Sequence, residues 1–419
     1  MLKFLKRALG RVRRIARMVR LDYIPYNTRF RPTGIIKLTD GHLGVDVMNI
    51  RPAFTSTLGL PPEFLEDCSE YSRPPVSVEF ATSFIATVRN GRIFAHDNNN
   101  FAVITDDNQL VDEVSFQWVD GPVPADRNAV FKAKGFNKPR KYAGTVFSLL
   151  TMGAAREYYF HWMFDAIVKL DLLKASGLFD SVDYFLVPNY NYAFQKDYLT
   201  YFNIPEHKII NGTEEDHVQA DTLILSSEVR REEHIPTWSC DFFYDKFVKG
   251  GQPTKRGRRI YIARGDAARS RRVTNEAGLI DVLKAQGFEI LYLTKYAVKD
   301  QIRIFNEADL IVAVHGGGLS NLVFCEPGTT LLEIFPDQYV RHYFHEICVK
   351  RGITYDYILC ESERACDNHF DGEVVGLTAD IAQIQNRINQ LAGRAHVLNG
   401  TKVGDNTLSP DSGWALRSS

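Results

Sequence analysis

The chain has 419 residues, of which 45% are hydrophobic and 24% charged, a balance typical of a soluble globular protein large enough for two domains. No run of about 18 apolar residues occurs, so the sequence excludes a membrane-spanning helix. The six cysteines form no Cys-x-x-Cys pair and show no zinc-finger spacing. They indicate reduced, mostly buried thiols and a cytoplasmic protein. We expect no nucleic-acid partner.

The formal net charge of -1 hides a basic N-terminus, since residues 1–20 contain eight Lys or Arg and no Asp or Glu. Apolar residues recur there at helical spacing, with most of the cations off that stripe. The pattern predicts a basic amphipathic arm that binds an anionic membrane surface, which would place the protein peripherally on the inner face of the membrane. A solvated or disordered arm and a transit peptide are the alternatives.

Short alternating apolar runs separated by turn residues extend from about Ser77 to Trp118 and predict antiparallel hairpins. We interpret them as an N-terminal β-hairpin appendage. They belong to a predicted N-terminal, acceptor-side domain at residues 21–248.

After about residue 145, predicted strands alternate with helices, a pattern typical of a parallel sheet covered on both faces. Residues 249–257 are rich in glycine and cations and indicate a linker. A second α/β domain is predicted at 258–395, followed by a mobile tail at 396–419. The expected fold class is α/β, with two Rossmann-like domains facing a cleft.

The most specific local feature is a buried strand that leads directly into three glycines. It reads Leu310-Ile311-Val312-Ala313-Val314-His315-Gly316-Gly317-Gly318-Leu319-Ser320-Asn321. Glycines let the backbone approach an anion, and the N-terminus of a following helix directs N–H groups at it. Ligands of open parallel sheets bind at the carboxyl ends of strands, so we expect a nucleotide phosphate here. A turn that only tightens strand-to-helix packing is the alternative.

Other proteins use similar glycine patterns. An esterase oxyanion hole would require a Gly-x-Ser-x-Gly elbow, which the chain lacks. A dinucleotide-dependent oxidoreductase would have a third glycine where Asn321 stands. The sequence also has no Walker A motif, and no Asp-x-Asp motif of the kind that holds a divalent cation in many sugar-nucleotide enzymes.

Cations near the same strand ends are suited to a diphosphate. Arg264 follows the predicted strand 259–263, and Arg272 lies in the loop beyond it. Guanidinium groups stay charged and bind phosphate bidentately, although a solvated basic loop is the alternative. Glu333 lies within an apolar strand, where a buried carboxylate needs a partner. We favour a sugar hydroxyl over an internal arginine.

A second cluster surrounds His161 and Asp165, which share one face of a predicted helix because they are four residues apart. Such a pair is able to deprotonate an acceptor hydroxyl, with either residue as the base. An aromatic core helix with a satisfied histidine is the alternative.

Taken together, these motifs resemble glycosyltransferase family 61, including bacterial proteins of capsular polysaccharide biosynthesis. The correspondence covers the following segments: Ile262-Ala263-Arg264, Arg272-Val273-Thr274-Asn275-Glu276, Gln301, Ala308-Asp309, His315–Asn321, Pro327-Gly328, Leu332-Glu333 and, upstream, Phe160-His161-Trp162-Met163-Phe164-Asp165. The family's Ser before Arg is Ala263 here, its middle Ala is Gly317, and an Asn before the aromatic-His pair is missing.

The resemblance implies a two-domain GT-B-like fold and inverting transfer of a sugar from a nucleoside-diphosphate sugar to a glycan or lipid-linked acceptor. It implies no cofactor and no essential metal. His161 and Asp165 would be catalytic. The donor would be bound by Arg264, Arg272, His315, Gly316, Gly317, Gly318, Ser320, Asn321 and Glu333. A non-catalytic nucleotide- or glycan-binding protein on the same fold is the alternative function.

Overall fold

The computed structural model describes residues 28–68, 73–97, 100–119, 121–151, 153–231, 233–251, 256–265, 271–367 and 369–400. These residues form two compact units. Unit 1 consists of the described parts of 1–55 and 79–231, and unit 2 of the described parts of 56–78 and 232–419.

The strands in chain order are β1 (Gly34–Ile36), β2 (Val45–Arg51), β3 (Phe54–Thr57), β4 (Ser77–Phe80), β5 (Ser83–Arg89), β6 (Arg92–Asp97), β7 (Asn100–Ile104), β8 (Gln109–Val111), β9 (Phe116–Gln117), β10 (Arg140–Ser148), β11 (Tyr184–Val187), β12 (Ile209–Asn211), β13 (His217–Ser226), β14 (Arg258–Ile262), β15 (Glu289–Leu291), β16 (Ala308–Val314), β17 (Thr330–Pro336), β18 (Thr354–Ser362) and β19 (Leu377–Thr378).

The α-helices are α1 (Pro62–Asp67), α2 (Tyr159–His161), α3 (Lys169–Ala175), α4 (Ala193–Tyr201), α5 (Thr237–Phe247), α6 (Glu276–Ala285), α7 (Val298–Asn306), α8 (Tyr343–Arg351), α9 (His369–Gly372) and α10 (Ile381–Gly400). A π-helical turn spans Trp162–Ile167. The 3-10 helices are Leu38–Asp40, Asp112–Val114, Ala125–Arg127, Ala129–Lys132, Gly153–Arg156, Phe179–Ser181, Glu206–Lys208, Leu293–Lys295 and Gly317–Phe324.

The sheet of unit 1 contains a parallel part in the order β12-β11-β10-β13. Numbered along the chain, that order is 3-2-1-4, the arrangement of the first strands of a Rossmann fold. The strand order reverses between β10 and β13, whose register pairs Val146 with Leu223. The carboxyl ends of these two strands are therefore where a ligand site is expected.

The predicted hairpins are present, but their interpretation as an appendage is wrong. Strands β5 and β6 pair antiparallel with β13, so the hairpins extend the same sheet, which has eleven strands among the described residues. Val88, Ile93 and Val103 are buried in one core cluster with Val146 and Leu223 of the parallel part. Because β13 pairs with β10 on one edge and with β5 and β6 on the other, burial of these apolar side chains joins the hairpins and the parallel strands into one sheet.

The sheet of unit 2 has the order β15-β14-β16-β17-β18, with each neighbouring pair parallel and β19 antiparallel at the edge. Strands β16 and β17 are almost continuously buried, as expected for a parallel sheet covered on both faces. Numbered along the chain the order is 2-1-3-4-5, which reverses between β14 and β16. Arg264 and His315 follow these two strands.

The predicted boundary between the domains also requires correction. Unit 2 begins near residue 232 and not at 258, because α5 packs with it. The ring centres of Phe243 and Phe247 lie 6.5 and 5.8 Å from the ring centre of Phe324. The segment 56–78 belongs to unit 2 as well, since Phe64 is buried against Phe335.

The described structure ends with α10, which runs to Gly400, so residues 396–400 of the predicted mobile tail are helical. Residues 401–419 and the predicted basic arm at 1–20 lie outside the described residues. Among the described residues, no helix combines the length and apolar composition needed to cross a bilayer.

Candidate functional site

In unit 1, charged side chains meet at the reversal of strand order. The chain leaves β10 at Ser148 and reaches His161 at the end of α2, where the π-helical turn begins. Single π turns inside helices occur frequently at functional sites. From the neighbouring strand, the chain leaves β13 at Ser226 and reaches Arg230 four residues later.

Asp165 is the centre of this group. Its Oδ2 lies 2.6 Å from His161 Nδ1, while Arg230 donates from Nε to Oδ1 at 2.5 Å and from Nη2 to Oδ2 at 3.0 Å. The Arg230 guanidinium also lies 5.0 Å from the centre of the Phe160 ring. The predicted pairing of His161 with Asp165 is therefore present, with Arg230 as an additional bidentate partner.

The protonation of the group follows from its charges. Burial alone would raise the pKa of Asp165, but Arg230 and His161 outweigh it and hold that pKa well below its usual range. Because Asp165 is ionised, His161 donates from Nδ1, and in the neutral ring Nε2 carries the lone pair. The His161 side chain is 27% exposed, against 7% for Asp165. The buried carboxylate thus orients a partly exposed imidazole ring.

Two further ionisable groups lie next to Asp165. Lys169 is buried and donates to the carbonyl of Leu150 at 2.6 Å, and burial lowers its pKa to about 8. Burial raises the pKa of Glu228, with Lys169 acting in the opposite direction. The histidine–aspartate pair therefore has a buried charged surrounding that the sequence analysis did not identify.

In unit 2, Arg264 meets the glycine loop at the reversal between β14 and β16. A Cβ placed on Gly316 would lie 2.3 Å from Nη1 of Arg264, so the glycine leaves room for the guanidinium. The main-chain N–H of Arg264 donates to Glu276 at 2.9 Å, which fixes the loop after β14. Gly317 and Gly318 are partly exposed and begin the 3-10 helix. The turn is therefore not enclosed.

Two neighbouring arginines differ in their placement. Arg271 donates from Nε to the carbonyl of His315 at 2.8 Å and lies 5.2 Å from the centre of the Tyr339 ring. Arg272, which we had predicted to bind the donor, is exposed and lies 3.4 Å from Glu363. The structure thus brings Arg271 to the glycine loop and does not bring Arg272 there.

His315 is buried beside Glu333. Its Nδ1 lies 2.6 Å from Oε1 of Glu333, and Tyr355 donates to Oε2 at 2.8 Å. Burial raises the pKa of Glu333 well above its usual value, although the hydrogen bond from Tyr355 and the charge of Arg271 act in the opposite direction. Both oxygens of Glu333 have protein partners and its side chain is buried, and its contact with a sugar stays a prediction.

The pKa of His315 reveals the charge around the loop. It is lowered well below its usual value, first by burial and then by Arg271, Arg341 and Arg264 in that order. Three guanidinium groups from two segments, the loop between β14 and α6 and the loop between β17 and α8, therefore act on one residue at the end of β16.

The remaining predicted residues of the loop support its shape. Asn321 donates to Oε1 of Gln301 at 2.9 Å and to the carbonyl of Gly318 at 3.0 Å, which ties the 3-10 helix to α7. Ser320 is buried, and its hydroxyl has no hydrogen-bond partner among the described residues. A Cβ on Gly318 would lie 2.7 Å from Leu293.

Sequence reasoning missed Arg230, Arg341 and the choice of Arg271. For Arg230 a signal existed, because it follows the end of a predicted buried strand, as Arg264 does. For Arg341 the sequence gives no comparable signal, since it lies five residues beyond the end of β17 and the helix that follows it, α8, was not predicted.

The two sheets and the polar groups at their points of reversal define an α/β protein with Rossmann-like strand order in each unit. Residues 159–332 match the sequence model of the family Glycosyltransferase 61. This match confirms the resemblance to glycosyltransferase family 61 over that part of the chain. That range includes His161, Asp165, Arg264 and the glycine loop, and it ends one residue before Glu333.

Three curated relatives share shorter segments. A Beta-1,2-xylosyltransferase of Arabidopsis thaliana is 33% identical over 73 residues, which is 17% of this chain and 14% of that protein. Beta-1,2-xylosyltransferase RCN11 of Oryza sativa subsp. japonica is 36% identical over 61 residues, 15% of this chain and 11% of that protein. Xylan glycosyltransferase MUCI21 of Arabidopsis thaliana is 26% identical over 108 residues, which is 24% of this chain and 22% of that protein. The chain spans less than a quarter of each relative it matches.

Among solved structures, similarity is found to the iron-containing heptosyltransferase TibC in complex with ADP-D-beta-D-heptose, at 10% identity and a TM-score of 0.28, over 76% of this chain and 88% of that one. The iron-containing glycosyltransferase TibC of enterotoxigenic E. coli H10407 has 8% identity and a TM-score of 0.30, over 90% of this chain and 100% of that one. Scores of this size do not establish a shared fold.

Proposed function

We propose that this protein is an inverting glycosyltransferase that moves a sugar from a nucleoside-diphosphate sugar to a hydroxyl of a glycan or lipid-linked acceptor. The observation that supports this proposal best is the placement of two arginines at the partly exposed glycines: Arg264 lies against Gly316, and Arg271 donates to the carbonyl of His315. A diphosphate is the ligand whose charge and size match several guanidinium groups and adjacent main-chain N–H groups.

His161 is the proposed base. Its Nε2 accepts the proton of the acceptor hydroxyl, while Nδ1 stays bonded to Asp165 and the ionised carboxylate stabilises the imidazolium that forms. The acceptor oxygen forms a bond to the anomeric carbon as the bond from that carbon to the diphosphate oxygen breaks. The electron pair of the broken bond stays on the diphosphate. One displacement of this kind inverts the anomeric configuration.

The departing diphosphate gains negative charge in the transition state. Arg264 and Arg271 are the proposed groups that stabilise this charge, because groups fixed before the reaction need no reorganisation during it. The proposed reaction uses the nucleotide sugar as its substrate and takes neither a cofactor nor a catalytic metal.

The names of the relatives suggest the first substrates to test. All three act on xylose or xylan by name, so a pentosyl donor comes before hexosyl donors. A role in cell-surface or capsular polysaccharide synthesis, with the basic residues 1–20 on an anionic membrane, fits a lipid-linked acceptor.

The test combines binding with turnover. Nucleoside diphosphates and their sugars are screened by thermal shift, since a ligand at 100 times its Kd adds about 2.7 kcal/mol to stability. Diphosphate release is then measured for the best donor. Arg264→Ala should lose binding, whereas His161→Ala should keep binding and lose turnover. Arg272→Ala, a nearby exposed arginine, is the matched control and should change neither.

Two outcomes would contradict the proposal. If the protein binds no nucleoside diphosphate, or if Arg264→Ala binds as the wild type does, the glycine loop is not a diphosphate site. Binding without any turnover would favour a non-catalytic nucleotide- or glycan-binding protein on the same fold.

A further inference from the structure

A buried cluster in unit 2 takes no part in the proposed reaction. It consists of His234, His342 and Glu346, which have no exposed side-chain surface. His342 immediately precedes α8 and Glu346 follows four residues later, so both point from the same face of the helix. One ligand atom from each residue lies within 4.8 Å of the other two.

The hydrogen bonds of His234 require a proton or a metal ion between its Nδ1 and the Glu346 carboxylate. Nε2 lies 2.9 Å from the carbonyl oxygen of Pro75, which only accepts, so Nε2 carries a hydrogen. In the neutral ring the lone pair is then on Nδ1, which faces Oε1 of Glu346 at 3.4 Å. Two lone pairs facing each other in a buried site repel, unless a proton or a metal ion lies between them.

His342 gives a second, independent observation. Neither ring nitrogen has a hydrogen-bond partner among the described residues, although the side chain is fully buried. Leaving a buried polar group unpaired costs about 1–3 kcal/mol. Nε2 points toward Oε2 of Glu346 at 4.0 Å.

We propose that His234 Nδ1, His342 Nε2 and a carboxylate oxygen of Glu346 bind a divalent transition-metal ion of the zinc class. Two imidazoles and one carboxylate are a common ligand set for this class, with bonds of about 2.0–2.2 Å. The present 3.4 and 4.0 Å separations of the nitrogens from the carboxylate require only small side-chain movements to reach such bonds.

Glu346 has the capacity for an ion in addition to its present partners. Lys350 donates to Oε1, and the main-chain N–H of Ile235 donates to Oε2 at 3.1 Å. An ionised carboxylate has about four lone-pair positions, so Oε2 keeps one for the metal. Lys350 and the nearby Arg341 are the cations that the ion must tolerate; Arg341 lies 3.2 Å from Glu233.

The role of this ion is structural. It links residues 234–235 to α8, and the Phe344 and Tyr343 rings of that helix lie 5.0 and 6.4 Å from the His315 ring. A metal would therefore fix the helix that packs on the residue leading into the glycine loop. The ion has no part in the proposed sugar transfer, so a result that refutes the metal site would leave the sugar-transfer proposal unaffected.

The test is metal analysis of the full chain, purified without a histidine tag or chelator. We expect about one ion per chain, either on isolation or after adding Zn²⁺ to chelator-treated protein. His234→Ala and His342→Ala should each retain at most about a tenth of that amount. The matched control is His345→Ala, also buried on α8 but outside the cluster, which should retain the ion.

Three results would overturn the proposal. The first is a wild type that contains no metal on isolation and takes up no added Zn²⁺. In that case a proton on His234 would lie between its Nδ1 and Glu346. Alternatively, the two variants would retain as much metal as the wild type, or His345→Ala would lose the metal equally. Should the ligand variants fail to fold, Co²⁺ titration of the wild type decides. Visible absorption stronger than that of Co²⁺ in buffer, and displaced by Zn²⁺, supports the site, and its absence refutes it.

Discussion

Gly316→Ala tests the proposed diphosphate site with a single methyl group. The backbone at Gly316 is extended, with φ 167° and ψ 164°, so alanine introduces no backbone strain. The new Cβ would lie 2.3 Å from Nη1 of Arg264 and 3.1 Å from Cζ. Non-bonded heavy atoms prefer about 3.5 Å or more, so the guanidinium must withdraw by roughly 1 Å.

This displacement should affect ligand binding more than folding. The atom that clashes is the far end of a flexible side chain, so we expect a loss of about 1 kcal/mol in the free energy of unfolding, the low end for overpacking. A hydrogen bond to a charged group contributes about 1.5–3 kcal/mol. If the withdrawal breaks one such bond to the diphosphate, the Kd rises by about 10- to 150-fold.

The assay is calorimetric titration with the nucleoside diphosphate selected by the thermal-shift screen, alongside urea denaturation. Gly59→Ala is the matched control, because a Cβ there meets nothing within 4 Å and the backbone lies outside the left-handed region. A Kd for Gly316→Ala within about twofold of the wild type would refute the assignment of Arg264 to the ligand.

Three other substitutions test the buried charges. Asp165→Asn leaves the Arg230 guanidinium buried without its counter-charge, and urea denaturation should show a loss of about 3–5 kcal/mol. The pKa of Lys169 is lowered to about 8, which means that the fold disfavours its charged form. The resulting loss of stability is full below pH 8 and disappears as the pH rises toward the pKa that Lys169 has in the unfolded chain. Stability of the wild type relative to Lys169→Met should therefore increase between about pH 8 and 10, by up to about 1.4 kcal/mol per pH unit; a flat difference would contradict that pKa. Glu333→Gln reproduces a protonated carboxyl group and should cost less than about 1 kcal/mol in chemical denaturation, whereas a cost above about 3 kcal/mol would indicate an ionised Glu333.

Much of the fold of unit 2 was predictable, because buried parallel strands appear in the sequence as continuous apolar runs. The observed β14, β16 and β17 lie within one or two residues of the bounds that the apolar runs predict, which are 259–263, 310–314 and 330–335. The pairing of the hairpins was not predictable from local pattern. Leu223 of β13 pairs with Val88 of β5 and with Val146 of β10, and these contacts join segments far apart in sequence.

The candidate site divides in the same way. His161 and Asp165 were predictable because spacing along a helix is a local property. Arg230 was not predictable by spacing, since it comes 65 residues after its partner Asp165. The choice between Arg271 and Arg272 depends on which of two adjacent side chains turns toward the loop, and residue type alone does not determine this.

The environments of the two histidines also assign their chemical roles. His315 is buried, and Arg271, Arg341 and Arg264 lower its pKa further, while its Nδ1 lies 2.6 Å from Glu333. Protonating such a ring would add a fourth positive charge in a place of low polarity, so His315 is not suited to be a base. His161 has the opposite surroundings, because Asp165 beside it is ionised and stabilises an imidazolium. The glycine loop therefore favours negative charge on a ligand, while the pair in unit 1 favours proton removal, which is the division of roles that single-displacement sugar transfer requires.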